Sequence, residues 1–114
     1  YNIYNIYFIM ATKLALLQGQ EQVIADIKEL IDDGKPIGYL FKNPHRISAE
    51  KDFLAESSED RKIHVTLAPW ILLSADSEVL IPKNQVVTIV EPIDSVKEMY
   101  SEKLNGSDGI STDE

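Results

Sequence analysis

Apolar residues along the chain form short runs separated by turn-forming residues, and this pattern is typical of a β-rich domain. A run at residues 13–18 ends at Gly19, and residues 22–31 alternate apolar and polar positions. Residues 22–31 also fit a helical face, but Asp33-Gly34 after them and a third run at residues 37–42 favour a β-hairpin. We therefore predict three antiparallel strands in the N-terminal part of the chain.

The middle of the chain indicates a long connection followed by further strands. Residues 43–61 are polar and rich in turn formers, so we expect a long hairpin connection there. Residues 62–73 are apolar and predict a strand that Pro69 interrupts, because proline cannot donate a hydrogen bond to a sheet. Residues 78–81 and 86–90 predict two more strands around a turn.

A helix is expected after the sheet. Pro92 suits the first turn of a helix, and the apolar residues that follow it recur at helical spacing. The residues of this stripe are Ile93, Val96, Tyr100 and Leu104. Asn105-Gly106 is expected to end the helix, and residues 105–114 are expected to form a disordered acidic tail.

The first nine residues, YNIYNIYFI, differ in character from the rest of the chain. Each of them has codons made of A and T alone, so we interpret the segment as translated upstream sequence or an artefact, with Met10 as the start. The alternative is a genuine edge strand, since Tyr, Ile and Phe favour strands. Residues 10–104 are then a single domain.

Charge changes the picture of possible partners. The chain has 114 residues, no Cys, and 19 acidic against 11 basic residues, for a net charge of −8. Proteins that bind nucleic acid obtain much of their affinity from Lys and Arg contacts to phosphate. A general attraction to RNA or DNA is therefore not expected, and binding would need a local basic site.

Two parts of the pattern resemble the two halves of the motif of the Sm-like family of ring-forming RNA-binding proteins. The first half comprises the strand at residues 13–18, a Gly turn, the strand at residues 22–31, the turn Asp32-Asp33-Gly34, and Tyr39-Leu40-Phe41. The second half is residues 79–89, where Lys83-Asn84 forms a turn between two aliphatic strands. The chain is also similar to the small Sm-like proteins of marine tailed phages.

The resemblance implies a fold, an assembly and a partner. The fold would be mostly β, a small, strongly bent, antiparallel five-stranded sheet or barrel with the helix after it. The assembly would be a homo-oligomeric ring of about five to seven copies, formed by pairing of strands between subunits. The partner would be single-stranded RNA, in the cytoplasm of a host cell if the chain derives from a phage. Neither a membrane nor a small-molecule substrate is expected.

Lys35, Lys83 and Asn84 are the candidate RNA-binding residues that the resemblance implies; the alternative is that Lys35 and Lys83 are ordinary surface lysines. In an Sm-like fold their turns come together, and a ring repeats them around its pore, where lysines would attract phosphate. The sequence departs from the family at these turns. Gly34 and Pro36 stand where a base-stacking side chain and an Asn are typical, and base stacking contributes about 1–3 kcal/mol per base. Lys83-Asn84 stands where Arg-Gly is typical, so the charge remains but the planar guanidinium is lost.

No set of residues has the pattern of a catalytic or metal site. His45 and His64 lie in different segments without a fixed carboxylate partner, so we interpret both as surface residues. Asp32-Asp33 is interpreted as turn chemistry, and Trp70 as a core or interface residue. We therefore expect no enzyme activity, cofactor or metal.

Two functional hypotheses remain. The leading one is an Sm-like ring that binds and regulates single-stranded RNA, which the Lys83 turn and the family favour. The alternative is an Sm-like oligomeric adaptor that binds proteins and not RNA, which the acidic charge and the missing stacking residue favour.

Overall fold

A computed structural model describes residues 10–51 and 63–106 of the chain. The described part is mostly β, with one α-helix after the sheet, as the hydrophobic pattern predicts. The elements are β1 (Ala11–Leu17), β2 (Gln22–Asp32), β3 (Lys35–Lys51), β4 (Ile63–Pro69), β5 (Glu78–Pro82), a 3-10 helix (Lys83–Gln85), β6 (Val86–Val90) and α1 (Asp94–Leu104).

The six strands form one antiparallel sheet in the order β4-β3-β2-β1-β6, and β5 also pairs with β3. The turn between β2 and β3 has positive φ at both Asp33 (54°) and Gly34 (74°). Two such residues are what the tightest hairpin turn requires, and their twist matches that of the strands. The predicted hairpin at Asp33-Gly34 is therefore confirmed.

β4 and β5 lie one after the other along the same side of β3. β5 pairs with residues 38–42 of β3, and β4 pairs with residues 45–51. Between the two ladders, the Trp70 amide donates to the Pro44 carbonyl (3.0 Å) and the Asn43 amide donates to the Ser77 carbonyl (2.6 Å). Residues 71–76, here called the edge loop, therefore project from an otherwise continuous line of pairing.

The expected long connection is wrong for residues 43–51, which belong to β3. Asn43 has φ of 53°, and the pairing with β2 shifts between Ile24 and Asp26. This irregularity is a β-bulge, in which one strand carries an extra residue and bends without ending. Residues 52–61 of the expected connection lie outside the described residues, as do residues 1–9 and the tail beyond Gly106.

The sheet buries apolar residues on both of its faces. One face carries the larger cluster, made of side chains from β1, β2, β3 and β5. Its buried members are Ala15, Leu17, Val23, Ala25, Ile27, Phe41 and Ile81. On the opposite face, Val96 and Tyr100 of α1 pack with Ile24 and Leu67. The helix thus covers only part of its face of the sheet.

The helix differs from its prediction at both ends. It begins at Asp94, and Pro92 precedes it as a buried residue rather than forming its first turn. Val96 and Tyr100 of the predicted apolar stripe are buried, whereas Ile93 and Leu104 are exposed. The stripe is therefore right at its centre, where the helix contacts the sheet, and wrong at its ends.

Candidate functional site

The turn between β2 and β3 presents the first candidate lysine. Lys35 is the first residue of β3 and pairs with Asp32, directly after the two turn residues. Its side chain is exposed, as are those of Asp32 and Asp33. The turn therefore carries one exposed positive charge beside two exposed negative charges.

The 3-10 helix between β5 and β6 presents the other two candidates. Lys83 and Asn84 are both exposed, and the residue before them, Pro82, pairs with Gly38 of β3. Because β3 and β5 are antiparallel, this register places the 3-10 helix beside the beginning of β3. The structure therefore brings the elements carrying Lys35, Lys83 and Asn84 to the same end of the sheet, here called the lysine end.

Gly38 permits the close approach of β5 that positions the lysine end. A Cβ atom at Gly38 would lie 2.7 Å from the backbone oxygen of Ile81. Real Cβ atoms do not come so close to a backbone atom, so any larger residue would push the strands apart. Gly38 is a positioning residue that the sequence pattern missed, because a lone Gly inside a strand indicates a close contact without naming its partner.

The electrostatics of the lysine end are mixed. Lys35 and Lys83 are offset by Asp32 and Asp33, so the lysines are not part of a broad basic surface. Tyr39 lies deeper in the same part of the sheet, paired with Glu29 on one side and Ile81 on the other. Burial and the charge of Glu29 raise the pKa of the Tyr39 hydroxyl, so this ring is neutral at physiological pH.

His45 lies at a second polar site, where α1 meets the bulge of β3. The surface interpretation of His45 is wrong, because its side chain is buried. Its Nδ1 donates to the Asn43 carbonyl oxygen at 2.9 Å, and its ring meets Tyr100 edge-on with centroids 5.7 Å apart. The Tyr100 hydroxyl is 3.1 Å from the carbonyl oxygens of both Lys42 and Asn43. These contacts supply hydrogen-bond donors to two carbonyl groups at the bulge.

Two concave surfaces lie away from the lysine end. A groove of about 560 Å³ runs between α1 and the sheet, and its wall includes the carboxylates of Asp26, Asp94 and Glu98. The three carboxylates outnumber the one cation of the lining, Lys97, so the groove disfavours phosphate. A cleft of about 280 Å³ lies between the bulge and the edge loop, beside Trp70, whose indole donates to Glu21 at 3.0 Å.

Residues 10–51 and 63–106 hold no group of three or more His, Asp or Glu side chains arranged to bind a metal ion. His64 is an exposed residue of β4. No helix in the described part of the chain has the length and apolar character needed to cross a membrane.

Comparison with known proteins gives a family without a described activity. The model of a protein family described as a family of unknown function (DUF6561) matches residues 10–105. The match covers β1 through α1 and therefore the whole of the lysine end. No curated protein matches the chain.

Proposed function

This chain belongs to the DUF6561 family of unknown function, and we propose that it is an Sm-like protein that forms a homo-oligomeric ring and binds single-stranded RNA at its lysine end. The observation that carries the proposal is the meeting of two turns distant in sequence. The turn with Lys35 and the 3-10 helix with Lys83 and Asn84 share one end of the sheet, and all three side chains are exposed.

The path of the last strands supports an Sm-like sheet. Because β4 and β5 follow the same side of β3, the six strands occupy five positions, and β5 and β6 lie at opposite ends of the order. In a flat sheet these two positions would be about 19 Å apart. Only the 3-10 helix joins Pro82 to Val86, and four residue steps span at most about 14 Å. A strongly bent sheet reconciles the two distances.

The free edges of the sheet support assembly. β6 lies at one end of the strand order, and β4 with β5 lies at the other. Leu80 on β5 and Val87 and Val90 on β6 are exposed. Exposed apolar edge strands invite pairing with another chain, and head-to-tail pairing with a suitable rotation closes a ring.

A ring would present several lysine ends together and so strengthen an attraction to phosphate that is weak at one lysine end. In a single copy Asp32 and Asp33 balance the two lysines, so the attraction to phosphate is weak. A ring places one such end per subunit around a common axis, and a strand of RNA would contact several copies at once. Binding through several weak contacts is much tighter than binding through one.

The same charges favour the protein adaptor as the second candidate. The net charge of −8 and the acidic groove along α1 oppose RNA over most of the surface. In this case the outer surface of the ring would bind other proteins. RNA titration distinguishes the two candidates.

The test is the binding of short uridine-rich and adenine-rich RNA at low and high salt. Lys83→Glu should weaken binding at least about tenfold, or about 1.4 kcal/mol, without changing the oligomer. Lys97→Glu on α1 is the matched control, since it makes the same charge change away from the lysine end. Wild-type protein should also lose affinity as salt rises, because phosphate contacts release counterions.

Two outcomes would contradict RNA binding. In one, Lys83→Glu and Lys97→Glu weaken binding equally, so the lysine end has no special role. In the other, a wild-type ring ignores both RNAs at low salt, which leaves the adaptor function.

A further inference from the structure

The edge loop exposes three consecutive aliphatic side chains. Ile71, Leu72 and Leu73 are 48%, 70% and 95% exposed. Single exposed aliphatic residues are ordinary, but adjacent ones form a contiguous apolar surface, which is a mark of a contact site. Leu73 in particular has almost no contact with its own chain.

Hydrogen bonds hold the edge loop in a definite conformation. The Ser74 amide donates to the Ile71 carbonyl at 3.2 Å, and the Asp76 amide donates to the Ser74 hydroxyl at 2.9 Å. Both ends of the loop are bonded to β3, through Trp70 and Ser77. The loop is therefore a hydrogen-bonded turn whose aliphatic side chains point outward.

We infer that the edge loop is a docking element that packs against the β6 edge (Val87, Val90 and Ile93) of the next copy of this chain. The inference rests on the ring proposed above and names the surfaces that would join its subunits. It adds to strand pairing a side-chain contact from a loop inserted between β4 and β5.

The β6 edge offers an apolar surface that matches the edge loop. Val87 and Val90 on β6 and Ile93 just after it are exposed, Ile93 by 68%. The two surfaces lie at opposite ends of the strand order, so each copy can give one and receive the other. In a closed ring, such a head-to-tail contact covers every edge loop and every β6 edge.

The distribution of charge along the chain favours contact between the same two surfaces. Copies of a chain with net charge −8 repel one another, so their contact is favoured where the charge is lowest. Residues 71–75 of the edge loop and residues 85–90 contain no charged side chain, and the nearest charges, Asp76 on the loop and Glu91 and Asp94 beside Ile93, lie at the margins of the two surfaces. The edge loop also has no cationic group for RNA or anionic lipid, which leaves an apolar protein surface as the fitting partner.

The test compares the oligomeric state of three proteins across a range of concentrations by light scattering. The double variant Leu72→Ser, Leu73→Ser should raise the dissociation constant between copies at least tenfold while the circular dichroism of the fold is unchanged. Leu104→Ser on α1 is the matched control, since it removes the same side chain from another exposed position, and it should assemble like the wild type.

A covalent test uses the absence of cysteine from the chain. Leu73→Cys protein mixed with Val87→Cys or Val90→Cys protein should give a disulfide-linked dimer on oxidation, in excess of that from each protein alone. This readout requires only that the single-cysteine proteins fold.

The outcomes separate this inference from the ring itself. A wild-type oligomer, together with an equally tight serine double variant and no excess of mixed dimer, would overturn the docking role and leave the ring standing. A monomeric wild type would overturn both. The expected result is that the serine double variant loses assembly whereas the wild type and the Leu104→Ser control keep it. The mixed disulfide-linked dimer should also form.

Discussion

The junction between α1 and the sheet differs from the free edges of the sheet in how far its side chains are buried and hydrogen-bonded within one chain. At the junction, Tyr100 and His45 are buried and donate hydrogen bonds to carbonyl groups at the bulge. At the edges, the apolar side chains of Leu73, Leu80 and Val90 face solvent. The junction has the packing of an interior, whereas the edges have the composition of an interface without its partner.

We propose that the lysine end and the edges serve contacts with other molecules, whereas the junction serves the fold of the single chain. Substitutions at the junction should act on folding, because its contacts are all internal. Substitutions at the lysine end and the edges should act on binding and assembly and should leave folding of the single chain nearly unchanged.

The largest effect on folding is expected from Val96→Asp. Val96 is buried between α1 and the sheet, and a carboxylate there would be desolvated with no partner supplied. We expect a loss of about 2–4 kcal/mol in the free energy of unfolding, measured by chemical denaturation. Ser95→Asp, at an exposed position of the same helix, is the control and should change the free energy of unfolding little. Unaltered stability and assembly in Val96→Asp would mean that α1 is not docked.

A smaller effect is expected from Tyr100→Phe, which keeps the ring and removes the hydroxyl. The Lys42 carbonyl oxygen loses the hydroxyl donor and the Asn43 carbonyl oxygen keeps only His45 Nδ1, at a cost of about 1–2 kcal/mol. Tyr39→Phe, at a half-buried position, should cost less. Equal costs at the two positions would show that the junction has no special role.

The same Tyr100 hydroxyl gives a pH dependence. Burial and the nearby Asp26 carboxylate raise its pKa above the ordinary value of 10.0. The folded chain thus holds this proton more tightly than the unfolded chain does. Its contribution is fully present below about pH 10 and is lost as the pH rises through the folded-state pKa. Denaturation series at rising alkaline pH should therefore show a shallower decline for Tyr100→Phe than for the wild type.

The smallest effect on folding is expected from Lys83→Glu. Lys83 is exposed on the 3-10 helix, and exposed charges usually change the free energy of unfolding by no more than about 0.5 kcal/mol. The variant should therefore denature like the wild type, whatever its effect on the proposed RNA binding. A larger loss of stability would place Lys83 in the folding interactions of the chain and weaken the distinction drawn above.

Local patterns predicted much of the fold. The alternation in residues 22–31, the Asp33-Gly34 turn and the central helical residues Val96 and Tyr100 each act through neighbours in sequence or through one continuous face. Periodicity is informative in such segments because the same face stays buried along their length.

The bulge at Asn43 could not be predicted in this way. Asn43-Pro44 has the composition of a turn, yet Asn tolerates positive φ and lets β3 continue to Lys51. The extra residue also reverses the alternation, so that His45 lies on the helix side of the sheet whereas Phe41 lies on the other. The buried position of His45 therefore depends on a register that sequence composition does not reveal.

The role of Lys35, Lys83 and Asn84 in binding RNA stays a prediction. The family resemblance implies that the turns carrying Lys35 and Lys83 come together, but nothing in their spacing brings them to one end of the sheet. The pairing of Gly38 with Pro82 does so, and it depends on a glycine whose absent side chain lets β5 approach β3.

We propose that other copies of the chain complete the free edges of the sheet. Light scattering of the wild-type protein at micromolar concentration tests it most directly, because mass in solution needs no assumption about RNA. A single closed species of about five to seven chains, unchanged on moderate dilution, is the result predicted. A monomer over the same concentrations would contradict it.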